Sequence, residues 1–157
     1  MDVFSNSCIS CQTVGKKIQP TGGILYENEG WILFLHSRPT LIAGQGFIVL
    51  KRHCESVANL TPREQETLGP IMAITAHAME IALHAEKVHF GLYAEGVKHI
   101  HLHLIPRTAN LPASNIWMVW LNSWRNVLQT LHLRRPISDK EVEAAAAQVR
   151  EVLMRMD

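Results

Sequence analysis

Over the first hundred residues, short apolar runs alternate with turn-forming residues. Gly23–Glu27 (GILYE) and Trp31–His36 (WILFLH) flank Asn28-Glu29-Gly30. Asn and Gly there tolerate the positive φ of a tight turn, so the pair predicts a β-hairpin. Gly46–Lys51 (GFIVLK) reads as a third strand, entered through glycines 44 and 46. The period then changes. Thr61 can cap a helix, Pro62 suits its first position, and Glu64 completes a capping box. Leu68, Ile71, Met72, Ala78, Met79 and Ala82 follow as a helical stripe. Pro70 falls inside it, which predicts a kink or a delayed start. Val88–Ala94 and His99–Ile105 read as two more strands.

The C-terminal part looks helical. Trp117, Trp120 and Trp124 share one helical face with Leu121 and Leu128 beside them, and read as core or dimer interface. Arg134-Arg135-Pro136 separates this helix from a second one. That one opens on a capping box (Ser138, Glu141) and carries the stripe Val142, Ala145, Ala146, Val149, Leu153, Met156. Hairpin, strand, helix, hairpin and two helices make an α+β fold on an antiparallel sheet of about five strands.

The chain has 157 residues, which suits a single domain over 1–157. Its composition, 47% hydrophobic and 18% charged, is that of a globular protein. The net charge of +1 gives no case for nucleic-acid or membrane-surface binding, so any phosphate affinity must be local. No run of ~18 apolar residues occurs, so no membrane span is expected. No basic stretch followed by an apolar run opens the chain, so no secretory signal is expected. The three cysteines, Cys8, Cys11 and Cys54, are an odd number without such a signal, which argues against a disulfide framework and for the cytoplasm. Cys8 and Cys11 form a C-x-x-C pair that suits one side of a tetrahedral zinc site.

The sharpest chemical signal is HIHLHLIPR, from His99 to Arg107. In a strand, residues two apart share a face, about 6.6–6.8 Å apart. His99, His101 and His103 then project from one side, and Ile100, Leu102 and Leu104 from the other, toward the core. Three imidazoles in register gain nothing structurally from adjacency. Imidazole does supply a nucleophile, a general acid or base, and a metal ligand near neutral pH. Two chemistries remain open on spacing alone: a catalytic metal site and nucleophilic catalysis.

His-Ile-His-Leu-His-Leu-Ile resembles the signature of the histidine-triad family. Gly44–Gln65, with Lys51-Arg52-His53 and the Leu60-Thr61-Pro62 helix start, is similar to the family's strand-turn-helix block, and Ile105-Pro106-Arg107 fits too. The resemblance covers roughly Cys8 to Pro112, which makes 8–112 the core and 113–157 a helical extension. It implies a histidine-triad-like fold and a nucleotide hydrolase acting at an α-phosphate. His101 would be the nucleophile, passing through a nucleotidyl-histidine intermediate that water hydrolyses. His103 would hydrogen-bond the phosphate or leaving group, and His99 would support the nucleophile. Related transferases carry Gln at the third triad position, so His103 favours hydrolysis.

The resemblance also implies substrate contacts. Arg107 is the nearest candidate cation. Glu95 and Gly96 align where many members have Gly-Gln, and a carboxylate there cannot donate to phosphate unless protonated. His36 aligns near the family's ribose-contacting position, and Gly44-Gln45 stands for the usual Gly-His. Some members hold a structural zinc, and the matching ligands are Cys8, Cys11, His53 and His99. Zinc on His99 would fix its orientation beside His101. Cys54 reads as a small buried apolar residue. His77, His84, His89 and His132 are given no role. The implied substrate is a dinucleoside polyphosphate, a nucleoside phosphoramidate or an aminoacyl nucleotide, and the implied assembly is a homodimer. Two rival readings are a non-catalytic nucleotide-binding regulatory module and a metallohydrolase with the triad directly on a catalytic metal.

Overall fold

The computed structural model describes residues 7–36, 42, 44–93, 96–109 and 137–156. Three helices and five strands occur there: α1 (Ile9–Val14), β1 (Ile24–Glu27), β2 (Trp31–Leu35), β3 (Gly46–Leu50), α2 (Pro62–Leu83), β4 (Lys87–Gly91), β5 (His101–Arg107) and α3 (Asp139–Met154). The strands form one antiparallel sheet in the order β1-β2-β3-β5-β4, so the last strand inserts beside β3. The tryptophan-bearing helix expected around Trp117–Trp124 and the Arg134-Arg135-Pro136 break lie outside the described residues.

The hairpin forms at the expected place, but neither Asn28 nor Gly30 takes the positive φ expected of it; a side-chain acceptor shapes the turn instead. Asn28 Oδ1 accepts hydrogen bonds from the amides of Gly30 (3.0 Å) and Trp31 (2.9 Å), which closes the turn between β1 and β2. β2 is buried along its whole length. Trp31, Leu33 and Leu35 point into the main core, while Ile32 and Phe34 face the opposite side with Val49.

Helix α2 begins at Pro62 on a capping box with both reciprocal bonds made: the Thr61 hydroxyl accepts from the Glu64 amide, and the Glu64 carboxylate accepts from the Thr61 amide. Pro70 does not delay the start; the helix runs through it for 22 residues. The preceding residue is Gly69, which has no Cβ to meet the pyrrolidine ring, so the usual clash before proline is relieved. Helix α3 opens on the matching box of Ser138 and Glu141. The apolar stripes of α2 (Ile71, Ala78, Met79) and α3 (Val142, Ala145, Ala146, Val149, Leu153) pack with the inner face of the sheet into one core.

Strand β5 starts at His101, two residues later than the alternation predicts. Its ladder with β3 begins at the Val49–His101 pair. Ahead of that, the Ile100 amide donates to the Cys54 carbonyl (2.8 Å) and the Leu50 amide to the Ile100 carbonyl (3.2 Å). The turn after β3 therefore diverts the pairing, and His99 sits on that diversion rather than in the strand. Ile100, Leu102 and Leu104 are buried in the core, as the alternation requires. The opposite face of the sheet carries the site.

Candidate active site and metal centre

His101 and His103 stand on the outer face of β5, opposite Val49 and Phe47 of β3. Their rings are 5.0 Å apart. Phe47 meets both edge-on, at 5.5 Å from His101 and 4.9 Å from His103. His101 Nδ1–H donates to the His99 carbonyl at 2.7 Å. With Nδ1 holding the proton, Nε2 keeps its lone pair and the ring is fixed in orientation. Burial is the main cause that lowers the pKa of His103 to about 4, with the His101 and His36 imidazoles adding to it. His103 is thus a neutral hydrogen-bonding group at neutral pH.

Beside His101 opens a cleft of about 230 Å³. The outer sheet face supplies Phe34, Phe47 and Val49, α1 supplies Ile9, Ser10 and Thr13, and Ile18, Pro20, His36 and Val97 complete the wall. It is a mostly apolar slot with hydroxyls and imidazoles at a few points, a lining suited to a flat heteroaromatic group. Strand alternation could assign Phe34 and Phe47 to the outer face. It could not show that α1 would cover that face, so the cleft has no signal in the sequence.

His36, just past the end of β2, lies in this cleft with its ring 4.9 Å from Phe47. Its amide donates to the Gln45 carbonyl at 2.7 Å. Gly96 is exposed, with open space where a side chain would be, on the segment leading into His99. Glu95 lies outside the described residues. Arg107 is at the far end of β5, bonded to Glu86, and does not line the cleft. The structure therefore brings together His36, His101 and His103 but not Arg107.

On the other flank of His101 a second cluster forms. The ligand atoms of Cys8, Cys11, His53 and His99 all lie within 4.8 Å of one another. Cys8 caps α1 and Cys11 follows one turn later, so both thiols reach the same side. The His99 Nδ1 is 3.5 Å from Cys8 Sγ and 3.4 Å from Cys11 Sγ, and the His53 Nδ1 is 3.2 Å from Cys11 Sγ. Zinc bonds of about 2.3 Å to sulfur and about 2.0 Å to nitrogen put tetrahedral sulfur–nitrogen edges at about 3.5 Å. The outer nitrogens are also held: His99 Nε2–H donates to the Leu50 carbonyl at 2.8 Å, and His53 Nε2 faces the Glu55 carboxylate at 3.5 Å. For His99 this leaves an unprotonated Nδ1 turned toward the two thiols, which is how ligating histidines are oriented. His99 is fully buried, and that burial lowers its pKa, keeping it neutral. The donor set, geometry and outer bonds are compatible with zinc. Cys54 is buried in the main core and donates to the Ser56 carbonyl at 3.3 Å, apart from the cluster.

A five-stranded antiparallel sheet with two imidazoles beside an apolar cleft, and a third imidazole in a Cys₂His₂ cluster, defines a histidine-triad protein. A profile of the family described as scavenger mRNA decapping enzyme C-term binding matches residues 7–117. The chain belongs to this histidine-triad-type family. No curated protein matches it in sequence. Among solved structures it is similar to a Zn-bound histidine triad family protein from Mycobacterium smegmatis, at 21% identity over 96% of each chain with a TM-score of 0.69. A hypothetical histidine triad nucleotide-binding protein from Sulfolobus tokodaii is 14% identical over 95% of this chain and 93% of its own, with a TM-score of 0.68. A histidine triad protein from Sinorhizobium meliloti is 20% identical over 96% and 98%, with a TM-score of 0.64. At these identities the likeness is one of fold. Among the described residues no helix is long and apolar enough to cross a membrane.

Proposed function

We propose that the protein is a nucleotide hydrolase acting at an α-phosphate through a nucleotidyl-His101 intermediate. One observation carries this reading: His101 is locked by its Nδ1–H bond to the His99 carbonyl and stands at the wall of a mostly apolar cleft of about 230 Å³. The base lies between Phe47, Val49 and the α1 wall. The Nε2 lone pair attacks phosphorus, and the leaving group departs with the electrons of its bond to phosphorus. Water then attacks phosphorus, the P–N bond breaks, and a nucleoside monophosphate is released. Neutral His103 hydrogen-bonds the phosphate or leaving group as charge develops there. His36 stands at the ribose end of the cleft, and Gly96, on the segment leading into His99, leaves open space for the phosphate.

The substrate is a dinucleoside polyphosphate, a nucleoside phosphoramidate or an aminoacyl nucleotide, and the working unit is a homodimer in the cytoplasm. Cys8, Cys11, His53 and His99 hold a structural zinc. With four protein ligands such a site has no open position, which speaks against the metallohydrolase alternative. When bound, the ion supplies a cross-link and fixes His99, whose carbonyl orients His101.

Intact-protein mass spectrometry after brief mixing with an adenylylated substrate tests the reading. A nucleoside-monophosphate adduct is expected on wild type and not on His101→Ala. Turnover without any adduct under rapid quench would refute the covalent route. Tight binding without turnover would point to a regulatory nucleotide-binding module.

A further inference from the structure

We propose that Tyr93 forms the leaving-group side of the site and selects leaving groups with a flat aromatic ring within a few bonds of the scissile phosphate. The inference rests on the hydrolase reading above.

His103 has a neighbour across each ladder of the sheet: Phe47 on β3 and Gly91 on β4. Phe47 offers a side chain, and Gly91 offers none. The vacant place is filled by Tyr93, two residues beyond the end of β4. A Cβ at Gly91 would sit 2.7 Å from the Tyr93 hydroxyl and 2.8 Å from two of its ring carbons. A glycine there lets the ring lie against the strand, and any Cβ would push it outward. The folded-back ring stands 5.4 Å from His103 in a T-shaped contact. His103 is thus held between two aromatic rings.

Tyr93 nevertheless stays 49% exposed. A large aromatic surface open to solvent beside the reacting centre calls for an occupant. The cleft lies on the α1, β2 and β3 side of His101 and does not include Tyr93. Attack and departure at phosphorus are in line. The leaving group departs from the face of phosphorus opposite His101 Nε2; with the nucleoside filling the cleft on the β2–β3 side, the room left for that group is on the β4 side, past His103 and along Tyr93. The closeness of Tyr93 to His103 sets the reach: the ring that stacks there must be tied closely to the phosphate. Offset or edge-on aromatic pairing then favours an aryl over a saturated group of equal size.

The test compares two adenosine 5′-phosphoramidates, the benzylamide and the cyclohexylmethylamide, with the full chain. Wild type is expected to favour the benzylamide by roughly three- to tenfold in kcat/KM, expressed in KM. Tyr93→Ala should erase the preference and Tyr93→Phe should keep it. Gly91→Ala, which displaces the ring, should behave like Tyr93→Ala. An unchanged preference in Tyr93→Ala overturns the proposal. If wild type cleaves neither amide, hydrolysis of phosphoramidates fails as the activity, and calorimetric binding of the same pair decides the role of Tyr93. A tighter benzylamide whose advantage Tyr93→Ala removes sustains the role of Tyr93; equal affinities overturn it.

Discussion

Half-buried between Phe47 and Tyr93, His103 resists protonation, with a pKa of about 4 in the folded chain. In the unfolded chain its pKa is near 6.5, so the unfolded state binds more protons at mildly acid pH. The stability tied to neutral His103 is complete above about pH 6.5 and is lost as the pH falls toward 4. Thermal melts of His103→Asn should therefore decline less steeply than wild type across that window; parallel curves would show that His103 is not the group responsible. The titratable neighbours are His101 on β5 and His36 beyond β2, and both favour the neutral form. At this scale the sequence was informative where side chains alternate. HIHLH told which residues face in and which face out. It was silent on Tyr93, because that contact depends on β4 lying in register with β5 at a glycine.

Helix α2 illustrates how one side chain can join elements. Glu64 caps the helix and also receives two hydrogen bonds from Arg52, both at 2.8 Å. The Arg52 guanidinium is the main cause that holds the Glu64 carboxyl at about 2. Its contribution is present above the ordinary carboxylate range and is lost as the pH falls from about 4.5 toward 2. Glu64→Ala loses the cap and leaves Arg52 without its carboxylate, at a cost on the order of 2 kcal/mol. Urea unfolding of the variant checks this; a loss under 0.5 kcal/mol, roughly that of an ordinary surface change, would contradict it. The capping box could be read directly from Thr61-Pro62-Arg63-Glu64. The partner Arg52 could not, because it comes from the turn after β3.

Helix α1 is the opposite case. Six residues are too few to hold a helix alone, and too few to display a period. Its single turn supplies Cys8 and Cys11 to the metal cluster and Ile9, Ser10 and Thr13 to the cleft. Removing the proposed zinc with a chelator should therefore weaken binding of a nucleoside monophosphate by tenfold or more, along with a lower melting temperature. Calorimetry before and after chelation measures it. Unchanged affinity in the stripped protein would separate the metal from the cleft wall.

Across the whole molecule, the sheet divides the labour. Its inner face is the core, built with α2 and α3; its outer face carries His101, His103 and the cleft, with His99 and the cysteine–histidine cluster at its margin. The five strands, their antiparallel character and both helix starts followed from local periodicity and turn chemistry. The placement of β5 between β3 and β4 did not, since strand order depends on long-range pairing. The same holds for Arg107: its nearness in sequence to the triad suggested a phosphate contact, yet four residues of extended strand carry it about 13 Å along β5, to Glu86.

The metal cluster spans the chain: Cys8 meets His99 across 91 positions, and Cys11 meets it across 88. During synthesis, β1, β2 and β3 leave the ribosome with half of the cysteine–histidine set and most of the cleft lining, but without His101. The site comes into being only when β5 emerges and slides in beside β3. Closing so long a loop costs little more free energy than closing a short one, but such distant pairing is slow. A nascent or truncated chain ending before His99 accordingly lacks both outer-face imidazoles of β5 and one of the two buried members of the cysteine–histidine cluster. Cleft wall and cysteine–histidine cluster are both completed in one late step.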